Sequence, residues 1–89
     1  LDILFSGRMT MDNIEKYTQA FIDTFYIDEK NAKTSAFKQI DEWDSVGHMG
    51  LICCIEEIFG VMLDPDDIID FSSYEKGKKI LEKYGISFK

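Results

Sequence analysis

The stretch Ser45–Phe59 is bracketed by a start signal and a stop signal for a single helix, and it is apolar on two sides. Asp44 or Ser45 can accept from the exposed N–H groups of a first turn. Gly60 can take the left-handed conformation that ends helices. At about 100° per residue, Leu51, Ile52, Ile55, Ile58 and Phe59 fall on one broad face. Val46, Met49 and Cys53 fall on the other side, with Glu56 and Glu57 near their lower end. The first face needs a core. The second stripe needs a covering loop or a partner, because a helix buried on one side has no other use for it.

The remaining segments supply that core from helices alone. Ile14, Tyr17, Phe21 and Phe25 recur at helical spacing from Asp12 to about Tyr26, with Thr18 and Ile22 beside them. From Ile27 to Asp44 the pattern breaks, and Phe37, Ile40 and Trp43 read as anchors of a long loop packed onto the bundle. A short helical turn is predicted near Asp66 to Asp70, with Pro65 at its first position. Ser72-Ser73-Tyr74-Glu75 reads as a capping box, opening a last helix that runs through Ile80, Leu81 and Tyr84 to Gly85. No segment alternates as a half-buried strand does. The expected fold is an all-α, small four-helix bundle with three longer helices, a short third helix and a long first loop.

Eighty-nine residues make one small domain with little room for a deep active site. Leu1 to Thr10 fits no later pattern and Met11 reads as a natural start, so residues 1–10 are expected to be leader or tag sequence and 11–89 a single domain. No apolar run reaches the length of a membrane span and no signal-peptide pattern is present, so a cytoplasmic location is expected. Cys53 and Cys54 are adjacent, which suits neither a disulfide framework nor a zinc site. With one histidine in the chain, no metal centre is expected. Asp64, Asp66 and Asp67 lack the glycine and the closing glutamate of a calcium loop.

Charge narrows the partners. Between Asp41 and Asp70 lie nine acids and no Lys or Arg, whereas the rest of the chain nets +2. Such a window repels nucleic acid and anionic membrane and attracts basic protein surfaces. At its centre Ser45 follows Asp44 where the helix begins. Ser45 with His48, one turn on, would be a nucleophile pair, but no third residue orients the histidine and no oxyanion site is evident, so a hydrolase is set aside.

Glu42-Trp43-Asp44-Ser45-Val46-Gly47-His48-Met49, Ile55-Glu56-Glu57-Ile58-Phe59-Gly60 and Asp66-Asp67-Ile68-Ile69-Asp70-Phe71-Ser72-Ser73, taken with the length and helix order, resemble the acyl carrier proteins. The correspondence runs from about Asp12 to Tyr84. The resemblance implies that Ser45, after the motif residue Asp44, receives 4′-phosphopantetheine from coenzyme A through a phosphopantetheinyl transferase. The arm would carry acyl groups as thioesters for fatty-acid or specialised acyl and polyketide synthesis, with the protein itself non-catalytic and monomeric. Partner enzymes with basic surfaces would dock on Val46, Met49, Cys53, Glu56 and Glu57. The core beside Ser45 is expected to be lined by Leu51, Ile55, Leu63, Ile68 and Phe71, and the last four match family positions that admit the acyl chain. Gly50 and Ile58 stand where fatty-acid carriers are commonly acidic, so the pathway stays open. Aminoacyl or peptidyl carriers, and a small helical adaptor without a prosthetic group, are the alternatives.

Overall fold

The computed structural model describes residues 11–88, so the expectation for Leu1–Thr10 lies outside the described residues. Within them the chain forms α1 (Asn13–Phe25), α2 (Glu29–Lys33), α3 (Ser45–Phe59), α4 (Pro65–Asp70) and α5 (Tyr74–Glu82). The only β feature among the described residues is an isolated bridge between Ala36 and Ser73. The protein is a small all-α bundle, with one helix more than its sequence suggests.

α1 starts from a reciprocal cap. The Glu15 amide donates to Asp12 Oδ1 at 3.0 Å, and the Asp12 amide donates to Glu15 Oε1 at 3.1 Å. Its buried face is Tyr17, Thr18, Ala20, Phe21 and Phe25, and Tyr26 ends it in the left-handed region at φ 57°. The expected long loop is interrupted by α2, capped by Asp28 through the Asn31 amide at 2.9 Å. This helix escapes a reading by apolar periodicity because Ala32 is its sole buried residue. Beyond it the anchors act as expected. Trp43 is fully buried, stacked on Phe25 at 5.3 Å and edge-on to Phe21, while Phe37 and Ile40 are half-buried. The loop is tied to the segment before α5 by Phe37 N–H to the Ser72 carbonyl at 2.8 Å and Tyr74 N–H to the Ser35 carbonyl at 3.0 Å.

α3 has the expected bounds. Asp44 is the cap, accepting from the Gly47 amide at 2.9 Å, and Gly60 closes the helix at φ 66°. A Cβ on Gly47 would run into the Glu42 carbonyl, so the close approach of the preceding loop requires glycine there. Leu51, Ile52 and Ile55 are buried, but Ile58 is exposed. Ile58 stands about 60° around the helix from Ile55, at the border of the apolar face. The face closes without it.

α5 differs from expectation at both ends. Ser73, not Ser72, is the cap, accepting from the Lys76 amide at 3.0 Å, and the Ser72 carbonyl is engaged by Phe37. The helix stops at Glu82, and a turn carries the chain to Gly85 at φ 89°. Between α1 and α5 the core is aromatic and its polar atoms are matched. The Tyr17 hydroxyl donates to the Tyr74 carbonyl at 2.7 Å. The Thr18 hydroxyl donates to the Ile14 carbonyl and so accepts from the Tyr74 hydroxyl at 2.7 Å.

Gly77 makes this contact possible, since a Cβ there would collide with the Tyr17 hydroxyl and the Phe71 ring. Alanine gains about 1 kcal/mol of helix propensity over glycine, whereas overpacking costs about 1–3 kcal/mol. Both rings are fully buried and cannot turn aside freely. Gly77→Ala should therefore lower the urea midpoint, and a raised midpoint would show that the α1–α5 packing is looser than described.

Candidate functional site

Ser45 is the first residue of α3 and is exposed, with Asp44 before it occupied as the cap. Beside Ser45 lies a cavity of about 390 Å³ lined by Phe37, Ser45, His48, Met49, Ile68, Ile69, Phe71 and Ser72. Its walls are chiefly apolar, and its size falls within the range of small-molecule sites. Three elements build it: the loop after α2 gives Phe37, the start of α3 gives Ser45, His48 and Met49, and α4 with its following residues gives the rest.

Of the residues expected to line an acyl pocket, Ile68 and Phe71 face this cavity. Leu51, Ile55 and Leu63 are buried in the adjoining core. Phe37, Met49 and Ile69 complete the wall without having been assigned to it from sequence. The signal was partly present, because Ile68 and Ile69 are consecutive apolar residues in a six-residue helix.

His48 joins the pieces. Trp43 Nε1–H donates to His48 Nδ1 at 2.9 Å, and His48 Nε2 lies 2.8 Å from the Ile68 carbonyl oxygen. With both ring nitrogens engaged, the imidazole does not face Ser45 as a base. The first half of α4 is held by the turn after α5. Asp67 accepts from Lys83 Nζ and the Tyr84 hydroxyl, both at 2.6 Å, and the Tyr84 oxygen accepts from the Asp64 amide at 2.9 Å. The Lys83 bond and then the Tyr84 bond hold the Asp67 carboxyl below the usual carboxylate range, and the Asp67 bond raises both Lys83 and Tyr84.

The second stripe of α3 is uncovered. Val46 is 81% and Met49 48% exposed, and Cys53 is exposed. Ile69 (76%) and Met62 (82%) add to the apolar surface. Glu57 is exposed, but Glu56 accepts from the Leu63 amide at 2.8 Å and so holds the turn after α3. Cys54 is half-buried, and burial pushes its thiol up despite a bond from Thr24, which disfavours the reactive thiolate. Among the described residues no group of three or more His, Cys, Asp or Glu is placed to hold a metal ion, and no helix is long and apolar enough to cross a membrane.

No family model, curated protein or solved structure matches this chain. What the fold and site define is a small all-α protein whose longest helix begins with an exposed serine beside an apolar cavity.

Proposed function

We propose that this chain is an acyl carrier protein: Ser45 takes a 4′-phosphopantetheine arm from coenzyme A, and the arm presents acyl thioesters to partner enzymes in the cytoplasm. The observation that carries the reading is the position of Ser45, exposed at a capped helix start and at the rim of an apolar cavity. A phosphate on its hydroxyl would sit near the positive end of the α3 dipole. The cavity would shelter apolar cargo, at about 0.8 kcal/mol for each CH₂ removed from water. That lining favours an acyl chain over the polar cargo of an aminoacyl or peptidyl carrier. The chain itself positions the serine, and the transferase brings the catalytic groups and the metal.

A small helical adaptor without a prosthetic group is the second reading, favoured by the uncovered strip of Val46, Met49, Met62 and Ile69. It asks less of the chain, since it requires the strip alone. Intact mass after incubation with coenzyme A and a broad-specificity phosphopantetheinyl transferase separates the two. A carrier gains the mass of one arm, and an unchanged mass leaves the adaptor.

Docking is expected to use the strip and the acids around it, with Arg or Lys on the partner. Glu57→Lys should weaken acyl transfer by about 0.2–1 kcal/mol, as for an exposed ion pair. Met49→Glu should cost more, up to about 1.5–3 kcal/mol if the partner buries that side chain fully. Added salt should mimic the charge reversal. Transfer kinetics indifferent to salt and to both substitutions would place docking elsewhere. Glu56 is unsuited to this test because its carboxylate holds the Leu63 amide.

A further inference from the structure

We propose that His48 is a latch joining the Ser45 end of α3 to α4, and that the adjoining cavity widens when the latch opens. An indole N–H can only donate, and a backbone carbonyl can only accept. His48 lies between one of each, with Trp43 Nε1–H on its Nδ1 and the Ile68 oxygen on its Nε2. Both bonds therefore exist together in one form of the ring alone, the neutral tautomer with its proton on Nε2. The imidazole plane lies within 16° of the Trp43 indole plane, with ring centres 6.1 Å apart, as suits an in-plane N–H···N bond between them.

The latch acts on the second half of a short helix. α4 has six residues, begins at Pro65 and has no side-chain cap bond. Asp67, Lys83 and Tyr84 fasten its first half, whereas the described side-chain hydrogen bond to its second half comes from His48. Ile68, Ile69 and Phe71, which wall the cavity, lie in or next to that second half. Releasing the Ile68 carbonyl lets Ile68 and Ile69 shift while the first half of α4 stays tethered and Phe71 stays packed against Tyr17 and Trp43.

The ring is set among aromatic groups. Its neighbours are Phe37 from the loop, Trp43, Phe71 and the Ile68 carbonyl of α4, with no charged side chain among these contacts. On its own element Asp44 is turned to the Gly47 amide as cap. An imidazolium donates from both nitrogens, so a proton on Nδ1 would confront the buried indole N–H donor to donor. The inference goes beyond the carrier reading and needs no arm. Its consequence for cargo, that a loaded chain enters by displacing α4, rests on that reading.

The test uses the full chain with two variants. His48→Phe keeps an aromatic ring and loses both bonds, whereas His48→Gln keeps an acceptor and a donor and does not titrate. Imidazole ¹⁵N shifts of the unmodified protein near neutral pH should report the Nε2–H tautomer, and the other tautomer would overturn the proposal. His48→Phe should speed backbone amide exchange at Ile68–Phe71 about tenfold, the loss of one hydrogen bond of ordinary net strength. It should also speed uptake of a neutral apolar fluorophore, N-phenyl-1-naphthylamine, leaving α5 amides unchanged. Equal acceleration in α5 would mean general loosening and would count against a latch. His48→Gln, whose amide can still donate and accept, should exchange at Ile68–Phe71 more slowly than His48→Phe does. A Gln variant that exchanges there as fast as His48→Phe, or faster, removes the proposal. Failure of Ser45 to accept an arm, with these results intact, would refute the carrier reading alone.

Discussion

Ser45→Ala should fold as the wild type does and take up no arm at all, the largest change in function expected from one substitution in this chain. The variant is clean for structural reasons. Asp44, not Ser45, caps α3 by accepting from the Gly47 amide, and alanine is well tolerated inside a helix. Circular dichroism and the urea midpoint should therefore hold steady while the intact mass stays at the unmodified value under conditions that load the wild type. A Ser45→Ala protein that still gains an arm would move the attachment site, with the exposed Ser72 on the same cavity the first place to look.

Trp43→Ala should destabilise the domain by about 3–5 kcal/mol, the range for truncating a large aromatic in a core. Small domains have only about 5–15 kcal/mol in hand. Three contacts account for the size of the effect. The indole is fully buried, stacks on Phe25 at 5.3 Å and meets the edge of Phe21 at 5.5 Å. Its N–H also bonds His48, which the substitution leaves with an unmatched acceptor. Trp43→Phe should cost less, because it restores most of the ring packing but not the N–H. Urea unfolding followed by circular dichroism measures both. A loss below about 0.5 kcal/mol for alanine, the level of a surface substitution, would mean that the loop does not depend on its tryptophan.

Much of this architecture was legible in the residues, for identifiable reasons. α3 carries a side-chain cap at Asp44 and a left-handed stop at Gly60, two local signals that tertiary contacts have no need to override. Phe37, Ile40 and Trp43 stood out because apolar groups in a polar stretch must be buried somewhere. α2 was hidden by the same logic, since a one-turn helix that buries one alanine leaves no periodic trace. The choice between Ser72 and Ser73 as the cap of α5 was decided outside the segment, by Phe37 taking the Ser72 carbonyl. The cavity was half legible. Ile68 and Phe71 were expected there from the family resemblance, whereas Phe37 enters it only through the folding of a loop across the start of α3.

The nine acids of the central window do not act as one diffuse cloud. Asp44 is locked to the Gly47 amide, Glu56 to the Leu63 amide, and Asp67 is neutralised in part by Lys83. Two carboxylates thus have fixed bearings, and a third is largely withdrawn from the field. What an approaching protein meets is a directional pattern, with anchored carboxylates at the start of α3 and near its end, and an exposed one, Glu57, beside the second. A field of that kind can set the angle at which a partner arrives as well as how often it arrives.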